Sequence, residues 1–191
     1  MTIRLHLLCS ASTASVCGVA FPKDEPVDPL GRKGLFKLSG RLPTYDRILR
    51  SPARCAEQTA EGLALDADSE PALRDCNFGR WTGRALEELH AREPDALEEW
   101  LRNPAAAPHG GESFTDVMKR VGGWMDALQA QSRSILAITH AAVIRAAIAN
   151  ALDATPSSIL RIDVSPLGFA KLSGGKGRWR LSALVPSKHL R

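Results

Sequence analysis

Three short segments of this 191-residue chain place chemically useful groups directly after a stretch that reads as a β-strand. Cys9-Ser10-Ala11-Ser12-Thr13 follows the apolar run at 3–8. Ser51-Pro52-Ala53-Arg54 closes the short strand-like run YDRILRS at 45–51 and opens a helix. Thr139-His140-Ala141 follows SILAIT at 134–139. Asp75 lies in LRDCNFGRWTG at 73–83, read as a fourth, short strand ending in a glycine-punctuated turn. Ligands of open α/β sheets bind beyond the carboxyl ends of the strands. A guanidinium, an imidazole, a carboxylate and hydroxyls meeting there would make an oxyanion site. Arg54 is expected to grip the anion and His140 to face it. Asp75 reads equally as a general acid or as a turn carboxylate.

The elements that must position these groups follow from the pattern. Leu30, Leu35, Leu38 and Leu42 fall near helical spacing, although glycines interrupt the run. Pro52 opens a helix through ARCAEQTAEGLAL, since proline is tolerated in a first turn. Residues 84–102 read as helical, with Pro94 marking a second start. Ser113 and Asp116 resemble a capping box at the head of a helix of about 18 residues. SILAIT is a buried strand, and AAVIRAAIANAL is the helix after it. GFAKLS, the turn SGGKG and RWRLSAL predict a β-hairpin that adds an antiparallel edge. Strands alternating with helices predict a three-layer α/β/α sandwich on a mostly parallel sheet. No repeat, linker or low-complexity tract interrupts it, so residues 1–191 are expected to form one domain.

Composition narrows the function. Hydrophobic residues make up 44% and charged residues 24%, ordinary for a globular domain with a large core. The net charge of +4 comes from scattered charges of both signs, which does not suit a nucleic-acid binder. The longest apolar stretch, 135–152, carries His140, Arg145 and Asn150, so no membrane span is expected. His6 interrupts the short apolar run at the N-terminus, which therefore reads as a strand and not as a secretory signal. Cys9, Cys17, Cys55 and Cys76 form no C-x-x-C pair, so free thiols in a reducing cytoplasm are expected, and no metal. SGGKG lacks the P-loop spacing. A cysteine-phosphatase loop from Cys9 would need Arg six residues on, where Ser15 stands.

The segments together resemble the histidine phosphatase superfamily, also called phosphoglycerate-mutase-like. SPARCAEQTAEGLAL is similar to its Ser-Pro-x-x-Arg-(x)3-Gln-Thr-Ala helix start. LRDCNFGRWTG resembles its Leu-x-Glu-x-x-Phe-Gly-x-Trp-Glu-Gly segment. HGGESFTDVMKRV is similar to its Gly-Gly-Glu-Ser helix entry, and LAITHAAVIRAAI to its late strand, histidine and helix. The resemblance implies a phosphoglycerate-mutase-like fold and phosphoryl chemistry without a cofactor. In the family an Arg-His-Gly triplet follows the first strand; its histidine attacks phosphorus, and two arginines and a second histidine hold the phosphoryl oxygens. Arg54, His140 and Thr13 match family positions, and Asp75 replaces the acidic Glu.

The triplet itself departs. Cys9 stands for its Arg, Ser10 for the nucleophilic His and Ala11 for Gly. Phosphohistidine cannot form at Ser10. The expectation is a degenerate centre that binds a phosphate-containing or other small anion through Cys9, Thr13, Arg54 and His140. Two alternatives stand. Ser10 or a water could act with His140 as base and Asp75 nearby, giving a phosphomonoesterase. Or the pocket is vestigial in an interaction protein. The chain gives no ligand identity and no oligomeric state. Cys9, Cys55 and Cys76 each lie in or beside a site motif; small apolar packing is their default.

Overall fold

The structure is a computed structural model that describes residues 2–17, 19–128, 133–175 and 177–186. Its strands are β1 (Ile3–Cys9), β2 (Arg47–Arg50), β3 (Asp68–Ser69), β4 (Ser134–Thr139), β5 (Phe169–Gly175) and β6 (Arg178–Val185). Its α-helices are α1 (Ala14–Cys17), α2 (Pro29–Leu38), α3 (Arg54–Gly62), α4 (Leu86–Arg92), α5 (Pro94–Arg102), α6 (Phe114–Ala127) and α7 (Ala141–Ala151). One six-stranded sheet runs in the order β3-β2-β4-β1-β5-β6. The first four in that order are mutually parallel; β5 and β6 continue it antiparallel as the expected hairpin. Lys176, in the SGGKG turn, lies outside the described residues.

Each face of the sheet carries its own apolar layer, as the three-layer expectation requires. Ile3, Leu5 and Leu7 of β1 pack with Val121 and Met125 of α6 and Val143 to Ala149 of α7. Leu8 points the other way, with Leu136 and Ile138 of β4, onto Leu35 of α2 and Ala56 and Ala60 of α3. This alternation is the period-two pattern of a strand covered on both sides. Every residue of β4 is buried, so the middle strand has no solvent face. The capping box at α6 is present: Asp116 N–H donates to Ser113 Oγ, and Ser113 N–H donates to the Asp116 carboxylate.

One expectation fails in an instructive way. Residues 73–83 form no strand. A 3₁₀ turn at Pro71–Leu73 leads into irregular chain and a second 3₁₀ turn at Gly79–Trp81. The carbonyls of Ala72, Arg74 and Asp75, which a strand would offer a neighbour, instead accept from the Arg120 guanidinium.

The glycines that weaken α2 as a sequence signal have a packing role. Asp28 caps the helix, accepting from Gly31 N–H at 2.6 Å and from Ser12 Oγ at 2.8 Å. A Cβ on Gly31 would stand 2.7 Å from both the Ser12 carbonyl oxygen and Val27 Cγ1. The α2 entry therefore lies directly on the loop after β1. Gly31→Ala is expected to destabilise the fold by about 1–3 kcal/mol in chemical denaturation, because overpacking outweighs the roughly 1 kcal/mol gain in helix propensity.

Candidate active site

Two hydrogen bonds extend the parallel ladder past the strand ends. Ser10 N–H donates to the Thr139 carbonyl at 2.7 Å, and Ser51 N–H to the Ile138 carbonyl at 2.8 Å. His140 is the N-cap residue of α7, still extended at φ −114° and ψ 160°. Ser10, Ser51 and His140 are all buried at this edge.

His140 is held from both sides. Its Nε2 is 2.8 Å from Ser51 Oγ, and its Nδ1 is 3.6 Å from Asp75 Oδ2. Burial pulls the imidazole pKa down. The Asp75 carboxylate and the Cys55 thiol outweigh that, and the net shift is upward. The Asp75–His140 pair thus favours an imidazolium. Ser51 Oγ also accepts from Ala53 N–H at 3.2 Å and is fully buried, so it orients the ring and is not placed as a nucleophile.

Ser10 is paired differently from the sequence expectation of a serine served by His140. Cys55 Sγ donates to Ser10 Oγ at 3.6 Å. Among the described residues the hydroxyl bonded to the His140 ring is that of Ser51.

Asp75 is delivered by a clamped loop. Thr139 Oγ1 donates to the Leu73 carbonyl at 2.7 Å, tying the loop to the end of β4. Arg120 grips Glu112 in bidentate fashion, Nε to Oε1 at 2.8 Å and Nη2 to Oε2 at 3.0 Å. Glu112 also takes Arg74 Nη2 at 2.8 Å and Asn77 N–H at 3.0 Å. Burial alone would raise the Glu112 pKa; its bonds to Arg120 and Asn77, with the Arg74 charge, bring it below the usual carboxylate range.

The remaining candidates lie around this centre. The Arg54 side chain is exposed at the head of α3, and its backbone N–H donates to Asp24 Oδ1 at 2.8 Å. Cys9 is buried, and burial with the nearby Asp75 charge pushes its thiol up to about 12, so it carries no charge at neutral pH. The Thr13 hydroxyl bonds to the buried Glu25 carboxylate, which also accepts Ser15 N–H at 2.9 Å. Ala11 N–H is taken by Thr59 Oγ1 at 3.0 Å. Sequence reasoning passed over Glu25 and Arg120, which no quoted motif residue marks; Thr59 stands in the Gln-Thr-Ala segment and was visible without its role. Glu112 stands in the Gly-Gly-Glu-Ser segment and was visible without its role. Among the described residues no group of three His, Cys, Asp or Glu side chains is arranged to hold a metal ion.

Comparison with known proteins places this geometry. Residues 14–185 match the family model of the histidine phosphatase superfamily, branch 1. The chain belongs to that superfamily. A bifunctional protein of Mycobacterium tuberculosis is 31% identical over 132 residues, which cover 65% of this chain and 36% of that protein. The chain thus spans little more than a third of that relative. The glucosyl-3-phosphoglycerate phosphatase of Mycolicibacterium vanbaalenii is 34% identical over 106 residues, 51% of this chain and 46% of that enzyme. In three dimensions the chain is similar to a mycobacterial glucosyl-3-phosphoglycerate phosphatase in complex with VO3, with a TM-score of 0.82 and 27% identity over 96% of this chain and 99% of that one. A histidine-to-alanine mutant of a phosphoserine phosphatase from Entamoeba histolytica, solved with phosphoserine, shares the fold with a TM-score of 0.82 at 20% identity, over 99% of this chain and 100% of that one. Among the described residues no helix is long and apolar enough to cross a membrane.

Two measurements check the superfamily member's site. In a proton-detected histidine titration, His140 should titrate above 6.5, the usual histidine value, and Asp75→Asn should lower it, since the largest raising influence is then gone. The sign for stability follows: the His140 contribution is fully present below the unfolded-state pKa and fades as pH rises through the folded-state value. Glu112→Gln should cost about 1–3 kcal/mol in denaturant unfolding, because the partly buried Arg120 loses its carboxylate partner and keeps only backbone acceptors.

Proposed function

We propose that the chain is a superfamily member with a degenerate centre: it binds a small phosphate-containing anion at the strand ends and does not form phosphohistidine there. The observation that carries this is the imidazole inventory. At the position after β1 stands Ser10, and among the described residues His140 is the one imidazole at the strand ends. His6 packs between Tyr45 and Phe169 farther back on β1. His90 is exposed on α4. His109 is buried against Trp81, Phe78 and Trp100. His189 lies outside the described residues. The family match begins at residue 14, beyond Cys9, Ser10 and Ala11.

Positive charge supports the binding half of the reading. The His140 pKa is shifted upward, Arg54 is exposed at the head of α3, and the first turns of α3 and α7 start at these strand ends. Three of the proteins compared above bear the names of phosphatases, of glucosyl-3-phosphoglycerate or of phosphoserine, and two of those were solved with VO3 or phosphoserine. Ser10 is bonded to Cys55, and the imidazole bonds to Ser51, which weighs against a Ser10 mechanism with His140 as base. In this reading Asp75 sets the charge of His140 in place of protonating a leaving group.

Wild-type protein should bind inorganic phosphate or vanadate saturably by calorimetry and turn over a phosphate-ester panel only at background. Arg54→Ala should weaken that binding about tenfold or more, the loss of one charge-assisted contact of roughly 1.5–3 kcal/mol. The triple change Cys9→Arg, Ser10→His, Ala11→Gly should raise turnover measurably. Robust wild-type turnover that vanishes in His140→Ala would replace this reading with the esterase, and no anion binding at all would leave the pocket vestigial.

A further inference from the structure

The α2-side face of the sheet holds a second cavity, of about 160 Å³, that shares no residue with the strand-end site. His6 lines it from β1, four residues before Ser10 and therefore roughly 13 Å back along the strand. Lys171 stands directly opposite His6 on β5. Leu38, the last residue of α2, and Phe169 of β5 form apolar wall, and Arg41 lies just past α2. Tyr45 closes the far side.

The polar groups divide into neutral and charged. His6 Nδ1 lies 3.0 Å from Tyr45 Oη, and the His6 ring meets the Tyr45 and Phe169 rings edge-on, with centroids 5.4 Å away in each case. Burial first, then the nearby Lys171 and Arg4 charges, push the His6 pKa down. Burial pushes the Tyr45 phenol up to about 12. Both side chains are therefore neutral near pH 7, and the charge at the cavity is that of Arg41 and Lys171. Among the described residues neither cation has a carboxylate partner, although the protein pairs many of its other arginines. A His–Tyr pair that merely packs the surface would account for the rings. It would not account for the ring-sized space that Arg41 and Lys171 also line.

Volume and charge define the occupant. An apolar cavity of about 150 Å³ accommodates a benzene ring. Aromatic walls favour edge-to-face contact with a flat body, and two cations select an anion. We propose that this cavity is a binding site for a small single-ring aromatic carboxylate, its ring between Leu38 and Phe169 and its carboxylate toward Arg41 and Lys171. The helix that walls this site also touches the other: Asp28, the cap of α2, bonds to Ser12 in the loop after β1. The inference does not rest on the anion-binding reading of the strand ends.

The test is a titration of the whole chain followed by amide chemical shifts, with benzoate, neutral benzamide and cationic benzylamine as probes. Benzoate should bind saturably and shift the amides of Leu38 and Phe169, while benzamide and benzylamine bind at least fivefold more weakly. Arg41→Ala and Lys171→Ala should each weaken benzoate about fivefold or more. Both side chains are exposed, and a thermal melt confirms that the variants fold. Absence of saturable benzoate binding overturns the proposal, as does equal binding of the three probes. A titration abolished by Arg54→Ala and indifferent to Arg41→Ala puts benzoate at the strand ends and also overturns it.

Discussion

The strand ends that carry Ser10, Ser51 and His140 hang from β4. Its last two carbonyls, Ile138 and Thr139, accept the amides of Ser51 and Ser10 from the strands on either side. The parallel register, Cys9 opposite Thr139 and Arg50 opposite Ile138, leaves those amides no other ladder partner. β4 can hold that central place because it is buried from end to end and apolar from Ile135 to Ile138. The residue after it, His140, then has Ser51 on one side and Asp75 on the other. Thr139 contributes again through its hydroxyl, which fixes the Asp75 loop by way of Leu73.

The charges around this edge are divided between structure and ligand. Glu112 pairs with both Arg120 and Arg74, and the three hold the 72–77 loop with one positive charge left over. Glu25 is turned toward Ser15 and Thr13. Asp75 partly cancels the imidazolium that it stabilises. In the proposed anion-binding reading, the exposed Arg54 guanidinium is the group that would grip the ligand. A centre with the family triplet would have a second guanidinium where Cys9 stands; here that position is a neutral, buried thiol.

Much of this was legible in the sequence because it is written in local signals. SILAIT reads as buried from composition alone, and the hairpin, the split at Pro94 and the Ser113 capping box follow from turn and cap chemistry. The site edge was found through residues that follow strands. What failed was non-local. The segment at 73–83 has the apolar spacing of a strand, but its carbonyls belong to Arg120, some 45 positions later. The partner of Ser10 depended on which hydroxyl reaches His140, a matter of side-chain direction that spacing does not encode; Ser51 reaches it and Ser10 turns to Cys55. The two-residue β3 and the single-turn α1 are too short to leave a pattern.

The central claim is that the edge grips a phosphate group without taking it. Phosphorus NMR of the wild-type protein mixed with an equimolar phosphomonoester tests both halves at once. The account requires the ester signal to broaden and shift as protein is added, and to persist undiminished for hours. Growth of free phosphate, with a new resonance from phosphorus bonded to histidine nitrogen or serine oxygen, would contradict it.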